Sequence, residues 1–221
     1  MEVPVTEIAY AYDYINSRHA PRRQATLNDG SAARQDEWRA SAQATPKRIT
    51  QAKEGSQHHM SIIAARIDNR LLHGIVATQW VPEFRPQRLM VIDDIVANDP
   101  TKKAAMRMAK PSGVALSIIN KKTALTNYRA GKYDDHTVFI VARDPQTILD
   151  VIQTGQVVPT LVVGGTVFPE EGSDAVQVSS RAYVTKDELP AYRAIAGTGC
   201  DITVRYVPAD KPVELSSIIT L

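Results

Sequence analysis

Two arginines, an aspartate and a histidine lie within one short segment of the chain, Arg66-Ile67-Asp68-Asn69-Arg70-Leu71-Leu72-His73-Gly74. A neutral imidazole is a nucleophile near its ordinary pKa of about 6.5. When an imidazole attacks a phosphoryl group, charge develops on the phosphoryl oxygens, and guanidinium groups match those oxygens in bidentate geometry. These residue types therefore indicate a phosphoryl carrier at His73, with Arg66 and Arg70 stabilising the transferring group.

Asp68 and Gly74 need other roles in such a site. Because a carboxylate repels a phosphate, we expect Asp68 to orient His73 or to hold one of the arginines. Gly74 would let the backbone come close to a ligand, and free amides at the start of a predicted helix over residues 75–80 would add anion affinity. Composition and spacing leave an alternative open, in which both arginines are surface charges, Asp68 is their exposed partner and His73 only starts a helix.

The apolar runs after residue 60 predict the elements that position these residues. Short β-branched runs alternate with helical segments, and several are apolar throughout, which is typical of strands buried on both faces of a parallel sheet. The predicted strands cover residues 61–67, 88–93, 114–119, 137–142, 160–163, 177–179 and 201–207. This alternation predicts an α/β fold with a single open, mainly parallel β-sheet covered by helices on both faces. Ligands bind beyond the carboxyl ends of such strands, so the segment after the first strand is the expected site.

Helix starts are predicted from capping residues, namely Asn98 or Asp99 before Pro100, Asp144 before Pro145, and a capping box of Thr185 and Glu188. Two further pairs at predicted strand ends each have two interpretations. Gly164-Gly165 either presents backbone amides to a phosphate or a docking surface, or forms a tight turn that needs positive φ. Asp93-Asp94 resembles a metal-binding pair, but we favour a helix-entry turn or a hydrogen bond to the first loop.

Composition and charge narrow the class of protein. The net charge of +2 over 221 residues gives no reason to expect nucleic acid or an anionic membrane surface as the main partner. A single cysteine, Cys200, excludes an internal disulfide and fits a reducing compartment. No apolar run approaches the roughly 20 residues that span a bilayer, so we expect any association with a membrane to go through a partner.

Residues 1–59 differ from the rest of the chain. They lack sustained periodicity, and long apolar side chains are too sparse to offset the entropy of ordering the segment. We therefore predict a poorly ordered, largely disordered extension over residues 1–59 and one folded domain over residues 60–221. Because a compact apolar strand opens at Met60, Met60 is a candidate biological start, with the preceding residues coming from an upstream start or an expression artefact. A genuine flexible tail is the other reading.

The segment RIDNRLLHGIVATQW, residues 66–80, closely resembles the phosphohistidine loop of the IIB subunits of the mannose/sorbose-type bacterial phosphotransferase system, whose usual form is RIDDRLIHGQVATRW. Further segments resemble that family in the same order, at residues 91–114, 161–168, 182–195 and 202–212. The resemblance runs from Met60 to Leu221 and leaves residues 1–59 uncovered.

The resemblance implies a function for the whole domain. His73 would accept a phosphoryl group on Nδ1 from the phosphohistidine of a IIA subunit and pass it to a sugar that crosses the membrane through IIC and IID partners. Arg66 and Arg70 correspond to the two arginines of the family motif, and Asp68 would support the loop. The resemblance also implies an open, mainly parallel sheet, no metal or other cofactor, a cytoplasmic location at the inner face of the membrane through partner subunits, and a homodimer as one oligomeric state.

Three residues depart from the family pattern. Asn69 replaces an aspartate, Ile75 replaces a glutamine, and Gln79 replaces the arginine before the tryptophan. Gln79 removes one phosphate contact of the family and resembles the N-acetylgalactosamine-type branch. We expect Gly74, Asn69, Thr78 and Gln79 to support the phosphate or the loop. The alternative function is a non-catalytic regulatory or phospho-sugar-binding relative, but a binding module has no need of the nucleophile that this sequence retains.

Overall fold

The computed structural model describes residues 61–170 and 172–221. The predicted extension over residues 1–59 lies outside the described residues, so its order, its origin and the division at Met60 stay predictions. In the described part of the chain, no helix combines the length and the apolar character needed to cross a bilayer.

Seven strands form one open sheet, and two more form a separate hairpin. The strands are β1 (Ile62–Asp68), β2 (Arg88–Ile92), β3 (Ala115–Ile119), β4 (Val138–Ala142), β5 (Thr160–Gly165), β6 (Ala175–Ser179), β7 (Ala182–Thr185), β8 (Asp201–Val204) and β9 (Val213–Glu214). The main sheet has the order β3-β2-β4-β1-β5-β8-β9, and every neighbouring pair is parallel except β8 and β9. The predicted open, mainly parallel sheet is confirmed, and β1 is its middle strand.

Helices connect the parallel strands. They are a π-helical turn (Val76–Trp80) that continues into α1 (Val81–Phe84), then α2 (Asp94–Asn98), α3 (Pro100–Met108), α4 (Lys121–Arg129), α5 (Pro145–Ile152) and α6 (Leu189–Ala196). Asp99 caps α3, Asp144 caps α5, and Thr185 with Glu188 forms a capping box ahead of α6, as the sequence predicts. Proline breaks hydrogen bonding in a helix interior, but Pro190 lies in the first turn of α6, where a backbone N–H has no partner within the helix.

The core lies on both faces of the sheet. In β4, Val138, Ile140 and Ala142 belong to one core cluster, whereas Phe139 and Val141 belong to the other. The first cluster also contains residues of α4, α5 and α6, and the second contains residues of the π-helical turn, α1 and α2. Helices therefore cover both faces, which explains why the strands read as continuous apolar runs.

Two strand predictions need correction, and two further strands were not predicted. The predicted strand over residues 201–207 ends at Val204, because Asp210 accepts the backbone N–H groups of Tyr206 and Val207 and so turns the chain. The predicted strand over residues 177–179 is part of β6, which pairs with β7 outside the main sheet. β7 and the two-residue β9 are too short to stand out as apolar runs, and the sequence analysis missed both.

Candidate functional site

Arg66 and Asp68 form a buried ion pair at the carboxyl end of β1. Both side chains have 0% exposure, and Asp68 Oδ2 accepts hydrogen bonds from Arg66 Nη2 at 3.0 Å and from Arg66 Nε at 3.2 Å. Removing one partner of such a pair leaves the other charge buried and uncompensated, which costs about 3–5 kcal/mol. The alternative of surface arginines with an exposed aspartate is therefore wrong for these two residues.

The other N–H groups of Arg66 hold the chain that follows β8. Nη1 donates to the carbonyl of Arg205 at 3.0 Å, and Nη2 donates to the carbonyl of Tyr206 at 3.1 Å. The guanidinium carbon lies 4.8 Å from the centroid of the Trp80 ring. Burial lowers the pKa of Arg66, and the charge of Asp68 opposes that shift. This guanidinium is completely buried, and its hydrogen bonds fix the position of Asp68. A direct contact of Arg66 with a phosphoryl group stays a prediction.

Asp68 connects the ion pair to the loop that follows β1. Its Oδ2 atom lies 3.1 Å from Nε2 of His73, and its Oδ1 atom accepts the backbone N–H of Arg70 at 3.1 Å. Burial would raise the pKa of Asp68, but the hydrogen bond with His73 and the charge of Arg66 outweigh burial, so the pKa lies below its ordinary value. Asp68 is therefore an ionised acceptor that contacts both His73 and an arginine.

The contact with Asp68 selects one tautomer of His73. An ionised carboxylate only accepts hydrogen bonds, so Nε2 must carry the hydrogen, and in a neutral imidazole the lone pair then lies on Nδ1. Nδ1 has no hydrogen-bond partner among the described residues, and the side chain is 16% exposed. The geometry thus leaves the lone pair of the ring on Nδ1, the nitrogen that faces no protein partner among these residues.

Arg70 is the exposed cation of this loop. Its side chain is 48% exposed, and its Nη2 atom donates to the hydroxyl of Tyr206 at 2.7 Å. Its Nε atom lies 3.9 Å from Asp68 Oδ1. A second arginine, Arg181, places its guanidinium carbon 4.6 Å from the centroid of the same tyrosine ring. Arg70 therefore differs from Arg66, because part of its guanidinium remains open to a ligand.

Gly164 makes room for the buried arginine. A Cβ atom at this position would overlap the guanidinium of Arg66, whereas a Cβ atom at Gly165 would meet its nearest neighbour, Asn69 Oδ1, at 3.6 Å. Both glycines belong to β5, and neither has a positive φ. The tight-turn interpretation is therefore wrong, and the structure gives Gly164 a reason that the sequence analysis did not consider.

The backbone of the loop is fixed on several sides. The amide of Asn69 donates to the carbonyl of Gly165 at 2.8 Å, and the amide of Leu71 donates to the carbonyl of Asp68 at 3.0 Å. Leu71 has φ 58°, a left-handed conformation that a leucine rarely adopts, and its side chain is completely buried. Burial of this side chain holds the strained turn in place and so directs the chain toward His73.

Arg143, which follows β4, supports the loop from the other side, and the sequence analysis missed it. Its Nη1 atom donates to the carbonyl of Asn69, and its Nε atom donates to Asp93 Oδ2 at 2.5 Å. Asp93 also caps α2 by accepting the amide of Val96 at 2.7 Å. The favoured reading of Asp93 as a helix-entry residue is confirmed, and it reaches the first loop through Arg143. The described residues contain no group of acidic, histidine or cysteine side chains suited to a metal.

The remaining predicted residues lie at the start of the helical segment. Gly74 is exposed, and a Cβ atom there would have no neighbour within 4 Å, so the protein itself does not require glycine at this position. The Thr78 hydroxyl donates to the carbonyl of Gly74 at 2.8 Å, and Gln79 is exposed. Their support of a bound phosphate stays a prediction, as does that of Asn69.

Comparison with known proteins agrees with this fold. Residues 62–221 match the family model described as the PTS system sorbose subfamily IIB component. The chain therefore belongs to the sorbose subfamily of phosphotransferase system IIB components. As a IIB component it is a phosphotransferase of sugar transport.

Individual relatives and solved structures are similar to the chain over most of its length. The chain is 30% identical to the sorbose-specific EIIB component of Klebsiella pneumoniae over 71% of this chain and 93% of that protein. It is also 30% identical to the mannose-specific EIIAB component of Escherichia coli K12, over 82% of this chain but only 56% of that longer protein. The crystal structure of the IIBSor domain of the sorbose permease from Klebsiella pneumoniae superposes with a TM-score of 0.65 at 28% identity, covering 72% of this chain and 95% of that one.

Gly164→Ala tests the space reserved for Arg66. Because the added methyl group overlaps a buried guanidinium whose displacement would break its hydrogen bonds, we expect the free energy of unfolding to fall by about 3 kcal/mol. Urea denaturation measures this quantity. Gly165→Ala is the matched control, since its Cβ atom makes only ordinary contacts. Equal losses in the two variants would contradict the role of Gly164.

Asp68→Asn tests the buried pair through its pH dependence. The substitution leaves Arg66 buried without its counter-charge, so the free energy of unfolding should fall by about 3 kcal/mol at neutral pH. The folded-state pKa of Asp68 lies below the unfolded value of about 3.9, so its contribution is complete above that value and is lost as the pH falls through the folded-state pKa. The difference between wild type and variant should therefore narrow as the pH drops below about 4.

The matched control is Asp201→Asn, an exposed aspartate whose side chain makes no hydrogen bond within the described ranges. Urea unfolding at a series of pH values compares the three proteins. A difference between wild type and Asp68→Asn that stays constant down to the lowest pH would rule out the charge of Asp68 as its source.

Proposed function

We propose that His73 carries the phosphoryl group of this IIB component. In the first step, Nδ1 attacks the phosphorus of a phosphohistidine on a IIA protein, so that one P–N bond forms at His73 as another breaks at the donor. In the second step, a sugar hydroxyl oxygen attacks the same phosphorus, the bond to Nδ1 breaks and the hydroxyl proton is released. The observation that carries this proposal is the contact of Asp68 with Nε2, which leaves the lone pair on Nδ1.

The buried pair suits the charge that each step creates. A ring that keeps its hydrogen on Nε2 while Nδ1 binds phosphorus becomes more positive, and the ionised Asp68 beside Nε2 stabilises that charge. Arg66 holds Asp68 in its ionised form and in place. A module that only binds a phosphorylated sugar has no use for a fixed tautomer, so the geometry favours the carrier over the non-catalytic alternative.

Arg70 is the group that we assign to the phosphoryl oxygens. It is half-exposed beside the loop and has N–H groups left after its bond to Tyr206. Preorganised donors of this kind act on the charge that develops during transfer, which is where electrostatic catalysis has its largest effect.

The partners follow from the family. The mannose relative carries A and B components in one chain, which supports a IIA protein as the phosphoryl donor. The proposal further includes IIC and IID membrane partners, through which the chain would work at the inner face of the membrane, and a sugar as the acceptor. The homodimer expected from the resemblance stays a prediction.

Labelling tests the phosphorylated residue. After incubation with the general phosphotransfer proteins, a IIA protein and labelled phosphoenolpyruvate, we expect acid-labile, base-stable label on His73. The label should vanish in His73→Ala, because no other described side chain has this environment. His136→Ala is the matched control, since it removes the other histidine of the described residues and should keep the label. Label that persists in His73→Ala would refute the assignment.

Arg70→Ala tests the exposed arginine. Because the side chain is half-exposed, we expect the variant to fold with an unchanged thermal midpoint. Phosphoryl transfer should slow by about a hundredfold, the usual cost of removing one preorganised donor. Rapid-quench measurement of label transfer from the IIA protein gives the rate, and Arg107→Ala, an exposed arginine on α3, is the control. An Arg70→Ala chain that fails to fold would indicate a structural role instead.

A further inference from the structure

The segment after β8, residues 205–210, forms a rigid turn at the same sheet edge as His73. β8 lies beside β5, which lies beside β1, and all three strands are parallel, so their carboxyl ends meet at one edge. Asp210 Oδ2 accepts the amides of Tyr206 at 3.2 Å and Val207 at 3.0 Å, and Arg205 Nε donates to the carbonyl of Asp210 at 3.1 Å. The turn is therefore closed by its own side chains.

Tyr206 joins this turn to both arginines of the site. Its carbonyl accepts one hydrogen bond from Arg66 Nη2 at 3.1 Å and another from Trp80 Nε1 at 3.0 Å. Its hydroxyl, at the other end of the residue, accepts the bond from Arg70 Nη2 at 2.7 Å. The buried contacts with Arg66 and Trp80 fix the position of the tyrosine backbone. The tyrosine hydroxyl is thereby held at a defined place, where it bonds to the exposed Arg70.

An exposed arginine needs such a contact if it is to act with precision. A free arginine side chain samples many rotamers, and each departure from the productive geometry weakens a bidentate contact. The bond to Tyr206 occupies one Nη2 hydrogen and holds the guanidinium, whose carbon lies 5.8 Å from the centroid of the ring. Arg181 stacks on the same ring and so limits its movement.

We propose that Tyr206 is a positioning residue that orients Arg70 for phosphoryl transfer at His73. Within the described residues its hydroxyl bonds to Arg70 and makes no hydrogen bond with His73, so it acts through the arginine. This inference rests on the proposed phosphoryl carrier and adds a residue that the phosphohistidine motif does not contain. Tyr206 follows β8, so the proposal links the end of β8 to phosphoryl transfer on the loop after β1.

Tyr206→Phe removes the hydroxyl while keeping the ring that both arginines face. Because a hydrogen bond to a charged group is lost, we expect kcat for phosphoryl transfer from the IIA protein to fall about tenfold. KM for the phosphorylated IIA protein and the thermal midpoint should not change. Tyr133→Phe is the matched control, because its hydroxyl accepts a side-chain hydrogen bond from Asn127 at 2.9 Å in a different part of the fold.

A double-mutant cycle separates a positioning role from a merely structural one. If Tyr206 acts through Arg70, then Tyr206→Phe has no further effect once Arg70 is alanine, and the double variant transfers at the rate of Arg70→Ala. A tenfold loss in the Arg70→Ala background would overturn the inference, because the hydroxyl would then act by another route. A Tyr206→Phe rate equal to that of wild type would also overturn it.

These outcomes are distinct from failure of the proposed function. Wild-type protein that takes label on His73, together with a fully active Tyr206→Phe variant, overturns only the role of Tyr206. Wild-type protein that takes no label on His73 overturns the carrier assignment and, with it, the positioning role. Label on His73, a tenfold loss in Tyr206→Phe and no further loss in the double variant together support both.

Discussion

The ion pair between Arg66 and Asp68 fixes the geometry of everything around the site. Two opposite charges with no exposure to water lie at the end of the middle strand, and each alone would be costly to bury. The cost is offset because each group is paired and hydrogen-bonded again beyond the pair. Arg66 holds the carbonyls of the turn after β8, and Asp68 holds His73 and the amide of Arg70. The end of β1, the loop that follows it and the turn after β8 are thus all held by this one ion pair.

The same pair explains why the histidine presents one particular nitrogen. The charge of Arg66 helps to keep Asp68 ionised despite burial, and an ionised Asp68 obliges Nε2 of His73 to carry the hydrogen. The tautomer of His73 is therefore set two contacts away, by an arginine that is completely buried. Gly164 belongs to this arrangement, because only a residue without a Cβ atom leaves space for the guanidinium in the neighbouring strand.

The two arginines of the motif, Arg66 and Arg70, differ in their exposure to solvent. Both arginines have the same charge and lie four residues apart. The side chain of Arg66 is nevertheless completely buried, whereas that of Arg70 is half-exposed beside the loop. Arg66 is enclosed by the protein, whereas part of the Arg70 guanidinium remains exposed to solvent. Tyr206 contacts both, through its carbonyl and its hydroxyl, and so transmits the rigidity of the buried pair to the exposed guanidinium. Arg143 likewise holds the loop backbone, because its Nη1 atom donates to the carbonyl of Asn69.

The sequence by itself determined the fold class and predicted where the site lies. Short, continuous apolar runs are typical of strands buried on both faces. Asp99 and Asp144 marked helix starts through local hydrogen bonds, and the residue types at Arg66, Asp68, Arg70 and His73 indicated phosphoryl chemistry. These features depend on near neighbours in the chain, so a linear pattern contains them.

Only the tertiary structure decided which arginine is buried and what supports the other. The contact of Arg66 with the carbonyl of Arg205 joins residues 139 positions apart, and that of Arg70 with Tyr206 joins residues 136 positions apart. Such contacts arise when parallel strands bring their carboxyl ends to one edge, and no local spacing encodes them. The reason for Gly164 was equally hidden, because the space it leaves is filled by a side chain from another strand.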